Sequence, residues 1–385
     1  MIDFNDYGIT MWSSDKIGDF RRTLLAWYDR EKRDLPWRRT SDPYRIWISE
    51  IMLQQTQVVT VIPYYERFLD LFPTVSHLAE APEEQLLKAW EGLGYYSRVR
   101  NMQIAAQQIM SDYKGHFPRT HEDISKLKGI GPYTAGAISS IAFGLPQPAV
   151  DGNVMRVMAR LFEVDYDIGD PKNRKIFQAI MEILIDPERP GDFNQALMDL
   201  GADIESAKNP RPDESPIRAF CAAYLHGTYD KYPIKEPKKK PRPVTIKAFV
   251  IRNAKDEFLL EKNRDGRLLG GFWSFPIMEI DTKTQQIDLL EEELSPNSLT
   301  PKLEFEKTYL LVPNWSTKTF SPIKHTFSHQ KWTIELLEGS VDTANVTEHR
   351  ELRWVSLKDF DHYPMATPQK KMIQTFFDDA SNTNS

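Results

Sequence analysis

The chain has 385 residues, of which 41% are hydrophobic, so it is long enough to bury sizeable cores and should hold two or three domains. This composition excludes a disordered or fibrous protein. No apolar run approaches the ~18 residues of a membrane span, and the polar start MIDFNDYG is not a secretory signal, so we expect a cytoplasmic protein. The single cysteine, Cys221, excludes an intramolecular disulfide and a cysteine-rich metal site. The net charge of −6 disfavours binding to nucleic acid through bulk charge.

The pattern of apolar residues divides the chain into a helical part and a strand-rich part. Helical spacing holds from Asp15 to about Leu225, and the breaks fall at Gly and Pro clusters. The next stretch, YDKYPIKEPKKKPRP, is basic and rich in proline, which is typical of an extended linker. We therefore predict an all-helical domain, a linker, a smaller α+β domain, and a C-terminal helix with a disordered tail, at residues 1–228, 229–243, 244–365 and 366–385.

Within the smaller domain, the residue pattern predicts short strands separated by polar turns. The expected strands are VTIKAFVIR, EFLLEK, KTYLLV and KWTIELLE, at residues 244–252, 257–262, 307–312 and 331–338. One helix is expected near residues 289–294, and the last eight residues, DDASNTNS, are expected to be disordered.

The stretch LKGIGPYTAGAISSIAFG, residues 127–144, predicts two helices joined by a glycine-rich turn. The first helix should end at Lys128, and the second should begin at Pro132 because proline suits a first helical turn. Gly129 and Gly131 would let the backbone approach a phosphate, and the free N–H groups at the start of the second helix attract anions. From these residues alone, a DNA-binding helix–hairpin–helix and an ordinary turn between two helices are equally well supported.

Asp151 directly precedes the apolar helical run GNVMRVMARLF. It is expected to cap this helix, and the positive end of the helix dipole favours its ionised form. The same carboxylate could stabilise positive charge in a transition state, and the two roles are compatible.

Glu50 interrupts the apolar residues of a predicted capped helix at 41–57, SDPYRIWISEIMLQQTQ. Gln54 lies four residues further on, so the two side chains share one face. A solvated helix face is the simpler interpretation. If the face instead lines a cleft, its apolar neighbours should raise the pKa of the carboxyl, as in a general acid. The environments of Glu50 and Asp151 would then shift their pKa values in opposite directions, a pattern typical of glycosidic-bond cleavage.

Four motifs, WISEIMLQQTQV, EGLGYYSRVRN, LKGIGPYTAGAI and VDGNVMRV, resemble in order and spacing the helix–hairpin–helix glycosylase superfamily, and specifically the adenine DNA glycosylases of the MutY family. The resemblance spans about residues 35–201 and continues into the second domain. It implies a monofunctional hydrolase that flips out and excises adenine mispaired with 8-oxoguanine or guanine in base excision repair. The implied partner is double-stranded DNA with such mispairs, bound by a monomer on the nucleoid of a bacterial cytoplasm.

The resemblance also implies roles for individual residues. Glu50 would be the general acid, and Asp151 would stabilise the oxocarbenium ion or briefly bond to it, with Tyr133 and Asn153 positioning these groups. Gln55 and Tyr95 match the residues that enter the duplex where adenine leaves it, and both side chains suit a wedge. The remaining DNA-binding or substrate-binding positions are a pocket residue, two neighbours of Gln55 and the two hairpin glycines, namely Arg38, Gln54, Thr56, Gly129 and Gly131.

The C-terminal domain resembles a MutT-like (Nudix) fold through LLGGFWSFP, residues 268–276. The metal-binding helix of Nudix hydrolases is missing, because DLLEEELSP carries acidic residues at a different spacing, so we expect no metal site. KHTFSHQKW resembles the loop that reads 8-oxoguanine in the family, which implies that Phe327, Ser328 and His329 contact the lesion. Without the resemblance, Phe327 would be read as a core residue and His329 as a surface imidazole.

Most relatives hold an iron–sulfur cluster through four cysteines just before the linker. In this chain Glu205, Pro212 and Ser215 stand at three of these positions and only Cys221 remains, so we expect no cluster and no other cofactor. This stretch carries three basic side chains, Lys208, Arg211 and Arg218. They either contact the DNA backbone in place of the cluster loop or are simply the solvated charges of a surface loop.

Three other functions serve as alternatives. A glycosylase with lyase activity needs a lysine nucleophile in the hairpin, where this chain has Tyr133. A non-catalytic DNA-binding protein with a MutT-like reader domain would not need both Glu50 and Asp151. A nucleotide pyrophosphohydrolase would need the metal-binding helix that the second domain lacks.

Overall fold

The computed structural model describes residues 2–237, 240–264, 266, 268–280, 300–342 and 351–381. The chain forms two compact units. The helical unit comprises Met1–Ala81 and Arg100–Pro237, and the C-terminal unit comprises Pro82–Val99 and Lys238–Ser385. The C-terminal unit therefore includes a segment from the middle of the predicted helical domain.

Residues 2–237 are mainly helical, and many of the helices begin at a polar capping side chain, as the sequence predicts. In chain order these helices are α1 (Ser14–Glu31), α2 (Pro43–Leu53), α3 (Val58–Leu71), α4 (Val75–Glu80), α5 (Glu83–Ala89), α6 (Ser97–Asp112), α7 (His121–Lys126), α8 (Pro132–Phe143), α9 (Gly152–Phe162), α10 (Arg174–Leu184), α11 (Pro190–Ala202) and α12 (Ala222–Leu225). Of these, α5 and the first residues of α6 belong to the C-terminal unit. In the described part of the chain, no helix is both long and apolar enough to span a bilayer.

The helical hairpin predicted at residues 127–144 is present. The first helix, α7, ends at Lys126 instead of Lys128, whereas α8 begins at Pro132 as predicted. Between them, Gly129 has a φ of +77°, and a Cβ at this position would lie 2.6 Å from the Cβ of Asn101. Only glycine satisfies both the backbone conformation and the space available in this turn.

The second hairpin helix packs directly against the chain that leads to Asp151. A Cβ on Gly136 would lie 1.9 Å from the carbonyl oxygen of Pro148, so the two backbones are in contact. Asn194 of α11 holds the same segment, because its Oδ1 accepts a hydrogen bond from the backbone N–H of Ala149 at 3.1 Å. These contacts fix the position at which α9 begins.

A buried ion pair organises the stretch that follows α11. The carboxylate of Glu205 accepts hydrogen bonds from the guanidinium of Arg160 at 2.9 Å and from the hydroxyl of Tyr229. The backbone carbonyl of Glu205 accepts a further bond from Nε of Arg156 at 2.8 Å. These partners compensate for the burial of Glu205 and Arg160, which are 2% and 4% exposed.

The C-terminal unit is built on a mixed sheet. Its strands are β1 (Arg242–Asn253), β2 (Glu257–Lys262), β3 (Trp273–Ser274), β4 (Ile277–Ile280), β5 (Asn314–Trp315), β6 (Ile323–Thr326), β7 (Gln330–Val341) and β8 (Leu352–Ser356). The main order is β3-β2-β1-β7-β5, and β4, β6 and β8 pair with β1, β7 and β2. β1 and β7 run parallel over their whole length, and the other pairs are antiparallel. Three of the four predicted strands, at residues 244–252, 257–262 and 331–338, are confirmed.

Two expectations for this unit are wrong. The strand predicted at residues 307–312 is absent, and its first three residues are helical, because Thr300 caps a helix, α13 (Pro301–Tyr309), whose first turn holds a proline. The disordered tail predicted at residues 378–385 is helical over 378–381, since α14 extends over Thr367–Ser381, and its last four residues lie outside the described part of the chain. The helix predicted near residues 289–294 lies outside the described residues.

We predict that Glu205→Ala lowers the free energy of unfolding by about 3–5 kcal/mol, because it leaves the buried guanidinium of Arg160 without its anion. Urea unfolding at pH 7 measures the change. Glu214→Ala is the matched control, because Glu214 is 61% exposed and pairs with Arg211, which is 43% exposed. The control should be nearly neutral, and equal losses in the two variants would contradict this account of the ion pair.

Candidate active site

A cavity of about 900 Å³ lies in the helical unit. Its wall brings together α2, α8, the start of α9 and the segment before α2. The predicted site residues that line it are Arg38, Glu50, Gln54, Gln55, Thr56, Gly129, Gly131, Tyr133, Asp151 and Asn153. The four other predicted site residues belong to the C-terminal unit, namely Tyr95, Phe327, Ser328 and His329.

Glu50 lies on α2 and is only 5% exposed, so the simpler interpretation of a solvated helix face is wrong. Burial raises the pKa of the Glu50 carboxyl from 4.5 to about 7. The hydrogen bond from Tyr133 opposes this increase, the charge of Asp151 adds to it, and the charge of Arg38 also opposes it. At neutral pH the carboxyl is therefore protonated in a substantial fraction of molecules, which is the state that a general acid requires.

Tyr133, the second residue of α8, orients this carboxyl. Its hydroxyl donates a hydrogen bond to Oε2 of Glu50 at 2.7 Å and lies 3.7 Å from Sδ of Met198. Burial, together with the neighbouring carboxyls of Glu50 and Asp151, raises the pKa of Tyr133 well above its usual value. The phenol consequently stays protonated and remains a hydrogen-bond donor.

Asp151 caps α9, as predicted. Its Oδ1 accepts hydrogen bonds from the backbone N–H groups of Asn153 and Val154 at 2.9 and 2.8 Å. Its Oδ2 accepts a bond from the side-chain amide of Asn153 at 2.9 Å. Three N–H donors at a helix N-terminus stabilise the ionised carboxylate.

The expectation that the two environments shift the carboxyl pKa values in opposite directions is wrong. Burial raises the pKa of Asp151 above 3.8, and the hydrogen bonds from Val154 and Asn153 offset only part of this increase. Burial thus acts on Glu50 and Asp151 in the same direction. The carboxyls differ in their donors, which are N–H groups for Asp151 and the Tyr133 hydroxyl for Glu50.

Arg156 supports the Asp151 site and was not predicted from the sequence. Its Nη2 donates hydrogen bonds to Oδ1 of Asn153 at 2.7 Å and to the carbonyl of Gly201 at 2.6 Å. Asn153 therefore points its amide nitrogen at Asp151. The spacing of three residues between Asn153 and Arg156 on one helix is the signal that could have revealed this contact.

Arg38 also lines the cavity and is held by Asp199, a second residue that the sequence did not reveal. Nη1 of Arg38 donates a hydrogen bond to Oδ2 of Asp199 at 2.7 Å, and Arg33 pairs with the same carboxylate. Nε of Arg38 is buried and has no hydrogen-bond partner in the parts of the chain that the structure describes. A buried donor without a partner is costly, and a bound ligand with an acceptor would relieve this cost.

Gln55 and Tyr95, the two predicted wedge residues, have left-handed backbones, with φ of +59° and +47°. This conformation is unfavourable for residues with a Cβ and is concentrated at functional sites. The left-handed conformation of Gln55 also explains why α2 ends at Leu53, short of the predicted end at residue 57. The Tyr95 side chain is 47% exposed.

The predicted lesion-reading residues form the turn between β6 and β7 in the C-terminal unit. The ring of Phe327 lies 4.9 Å from the ring of Trp332 and is partly buried. Ser328 and His329 are exposed, and Oγ of Ser328 lies 3.3 Å from Nδ1 of His329. The turn thus exposes a hydroxyl and an imidazole beside a phenyl ring that packs against Trp332.

The residues at the four positions where relatives have cysteines do not fit an iron–sulfur cluster. Glu205 is committed to its ion pair with Arg160, and Pro212 has no ligand atom in its side chain. Burial raises the pKa of the Cys221 thiol to about 11, whereas a cluster ligand must be a thiolate. Across the described ranges, no group of three or more His, Cys, Asp or Glu side chains could hold a metal ion.

Both units match known families. Residues 48–184 match the HhH-GPD superfamily of base excision DNA repair proteins, and residues 247–375 match the NUDIX domain. The solved structure of a thermostable thymine-DNA glycosylase aligns over its whole length with 58% of this chain, at 28% identity and a TM-score of 0.50. The fold and the site therefore define a base excision repair enzyme, a DNA N-glycosylase, with a C-terminal Nudix-like domain.

Relatives with a common name cover almost the whole chain. Adenine DNA glycosylase of Homo sapiens is 33% identical over 94% of this chain and 74% of its own length. Adenine DNA glycosylase of Buchnera aphidicola subsp. Acyrthosiphon pisum is 32% identical over 93% of this chain and 97% of its own length. The chain belongs to the adenine DNA glycosylase family, so the predicted family, fold class and enzyme class are confirmed.

We predict that Glu50→Gln stabilises the fold increasingly as pH rises from 5 to 8. The pKa of Glu50 is about 7 in the folded protein and 4.5 in the unfolded chain. The free energy of unfolding of the wild type therefore falls as pH rises from 4.5 to 7. A neutral glutamine avoids this loss, which amounts to roughly 3 kcal/mol for a shift of this size. Urea unfolding at several pH values measures the difference. Glu122→Gln is the control, because Glu122 is 83% exposed, and a Glu50→Gln difference that does not change with pH would contradict the assigned shift.

Proposed function

We propose that the protein hydrolyses the N-glycosidic bond of adenine that is mispaired with 8-oxoguanine or guanine in duplex DNA. The observation that carries this proposal is the presence of two carboxyls in one cavity, the buried Glu50 and the helix-capping Asp151. Cleavage of this bond needs a proton for the purine and an anion beside the sugar, and the two carboxyls can supply both. The name shared by the relatives supports adenine as the base.

In this proposal, Glu50 protonates the five-membered ring of the extruded adenine. Its pKa of about 7 keeps the acid form populated near neutral pH, and Tyr133 holds the carboxyl in one orientation. As the bond to the sugar breaks, its electron pair leaves with the base, and adenine departs as a neutral molecule. A positioned general acid contributes about 10²–10⁴-fold to such a step.

Asp151 stabilises the positive charge that remains on the sugar. The N–H donors around its oxygens stabilise the ionised form and fix the side chain in place, so it needs no rearrangement when the charge develops. A water molecule then supplies hydroxide to the sugar and returns a proton to the ionised Glu50. The products are free adenine and an abasic site, with the DNA strand intact.

The target adenine must leave the base stack before it can reach the cavity, at a cost of a few kcal/mol. Gln55 and Tyr95 would hold the duplex open, since both are presented from strained backbones. The free Nε of Arg38 offers a hydrogen bond to an acceptor of the extruded base. Gln54, Thr56, Gly129 and Gly131 would contact the DNA beside the opening.

The turn of Phe327, Ser328 and His329 would read the base opposite adenine. 8-Oxoguanine differs from guanine by a carbonyl oxygen and by a ring N–H where guanine has an acceptor. The Ser328 hydroxyl can both donate and accept hydrogen bonds, and Phe327 is packed well enough to support a base by stacking.

The proposed enzyme works without an iron–sulfur cluster, as a monomer on DNA in the bacterial cytoplasm. Support for the missing cluster comes from the Glu205 ion pair and the protonated Cys221 thiol. The purified protein should be colourless, contain no stoichiometric iron and remain active after chelation. Iron near four atoms per chain would refute this part of the proposal.

Single-turnover excision tests the function. The duplexes should carry adenine opposite 8-oxoguanine, guanine or thymine, and each reaction should be analysed with and without alkali. We expect excision opposite the first two bases and little opposite thymine. We also expect the strand to stay intact until alkali is added, because Tyr133 stands where a lyase needs lysine. Equal excision opposite thymine would contradict the mispair assignment, and cleavage before alkali would support the lyase alternative.

We predict that Ser328→Ala narrows the preference for 8-oxoguanine over guanine by roughly tenfold, since a lost hydrogen bond to a discriminating base edge costs about 1–3 kcal/mol. The measurement is the ratio of excision efficiencies opposite the two bases. Ser321→Ala, another exposed serine of the same unit, is the control and should leave the ratio unchanged. An unchanged ratio in Ser328→Ala would show that this hydroxyl does not read the lesion.

A further inference from the structure

The C-terminal unit contains the short segment of chain that carries Tyr95. This segment, Pro82–Val99, clusters with the residues that follow Lys238. It consists of α5, a glycine-rich loop of sequence EGLGYY at residues 91–96, and the first residues of α6. We refer to residues 91–96 as the wedge loop, since the proposed function gives Tyr95 a role in opening the duplex.

The conformation of the wedge loop is fixed by two side chains that flank it. Arg98 donates hydrogen bonds from Nη2 to the carbonyls of Leu93 at 3.1 Å and Gly94 at 3.0 Å. Nε1 of Trp90 donates a further bond to the carbonyl of Gly94 at 3.2 Å. The guanidinium of Arg98 also lies 5.6 Å from the ring centroid of Tyr95. These contacts join the backbone beside Tyr95 to the residues that flank the loop.

The start of the wedge loop is anchored by Glu91 to residues near the C-terminus. Oε2 of Glu91 accepts a hydrogen bond from the backbone N–H of Met365 at 3.0 Å and lies 3.1 Å from Nζ of Lys88. Oε1 of Glu91 pairs with Nζ of Lys370 on α14. The Glu91 side chain is only 6% exposed, so its charge is shielded from water and depends on these partners.

A second set of contacts reinforces this anchor. The ring of Tyr96 lies 4.2 Å from the ring of Phe272, which is fully buried. Nε1 of Trp273 donates a hydrogen bond to Oε1 of Glu84 on α5 at 3.3 Å. The wedge loop and α5 are thus held at both ends by residues of the C-terminal fold.

We infer that the C-terminal unit positions the Tyr95 wedge through Glu91, whose carboxylate ties the wedge loop to Met365 and Lys370. Glu91 is a positioning residue in this inference, because it acts through Tyr95 and does not itself touch the DNA. The unit that carries the lesion-reading turn also sets the backbone from which the wedge is presented. The inference rests on the proposed wedge role of Tyr95.

A double-mutant cycle in the full-length protein tests the inference. Glu91→Ala is made in the wild-type background and in a Tyr95→Leu background, and Glu335→Gln serves as a control because Glu335 pairs with Lys247 elsewhere in the same unit. The readouts are single-turnover excision opposite guanine and the fluorescence of 2-aminopurine placed beside the target adenine, which reports unstacking. Thermal unfolding is recorded for every variant.

We expect Glu91→Ala to slow excision by about tenfold and to reduce the fluorescence increase, as Tyr95→Leu should do. In the Tyr95→Leu background, Glu91→Ala should slow excision by less than about twofold further, because the residue through which it acts is already gone. Glu335→Gln should behave like the wild type. Losses that multiply in the double variant would overturn the inference, as would wild-type behaviour of Glu91→Ala.

Lys370→Met provides a second variant if Glu91→Ala fails to fold, because the Lys370 side chain is 61% exposed and its removal breaks the same ion pair from the solvent side. Lys370→Met should slow excision and reduce the fluorescence increase less than Glu91→Ala does. In the Tyr95→Leu background it should have no further effect on either readout. A further effect in that background would contradict the inference. Failure of the proposed function is seen separately, since Tyr95→Leu itself would then excise adenine normally or the wild type would not excise it at all.

Discussion

Removal of the Glu50 carboxyl from water is the constraint on which the rest of the site depends. Burial on α2 raises the Glu50 pKa to about 7, so that a carboxyl can act as a proton donor near neutral pH. The same burial lowers the free energy of unfolding above pH 5, and the hydrogen bond from Tyr133 to Glu50 offsets part of this loss. That bond requires α8 to lie close to α2, and the contact of Gly136 with Pro148 then brings the Asp151 segment to the same cavity.

Three polar side chains of the cavity are held by neighbouring side chains. Arg156 fixes Asn153, Asn153 fixes Asp151, and Asp199 fixes one end of Arg38. Nε of Arg38 is the donor in this set that has no partner among the described residues. A buried donor that the surrounding side chains leave open is consistent with a site that is completed by its substrate.

Much of the site could be predicted from the sequence because its signals are local. A proline at the start of α8 and an aspartate before α9 each act on the nearest backbone, and both predictions are confirmed. The strand predicted at residues 307–312 is wrong because a short apolar run suits a helix or a strand equally well. The pKa of Asp151, the Asp199 contact and the grouping of residues 82–99 with the C-terminal unit depend on distant residues, which no local pattern reveals.

The central claim is that the proton delivered to adenine comes from Glu50. The most direct measurement is the single-turnover excision rate of the wild type and of Glu50→Gln on the same duplex between pH 5 and 9. Because the acid form of Glu50 is lost above its pKa of about 7, the wild-type rate should fall as pH rises through 7, up to tenfold per unit. Glu50→Gln should bind the duplex but excise at least ~10²-fold more slowly, without that dependence. A wild-type rate independent of pH, or near-normal excision by Glu50→Gln, would contradict the account.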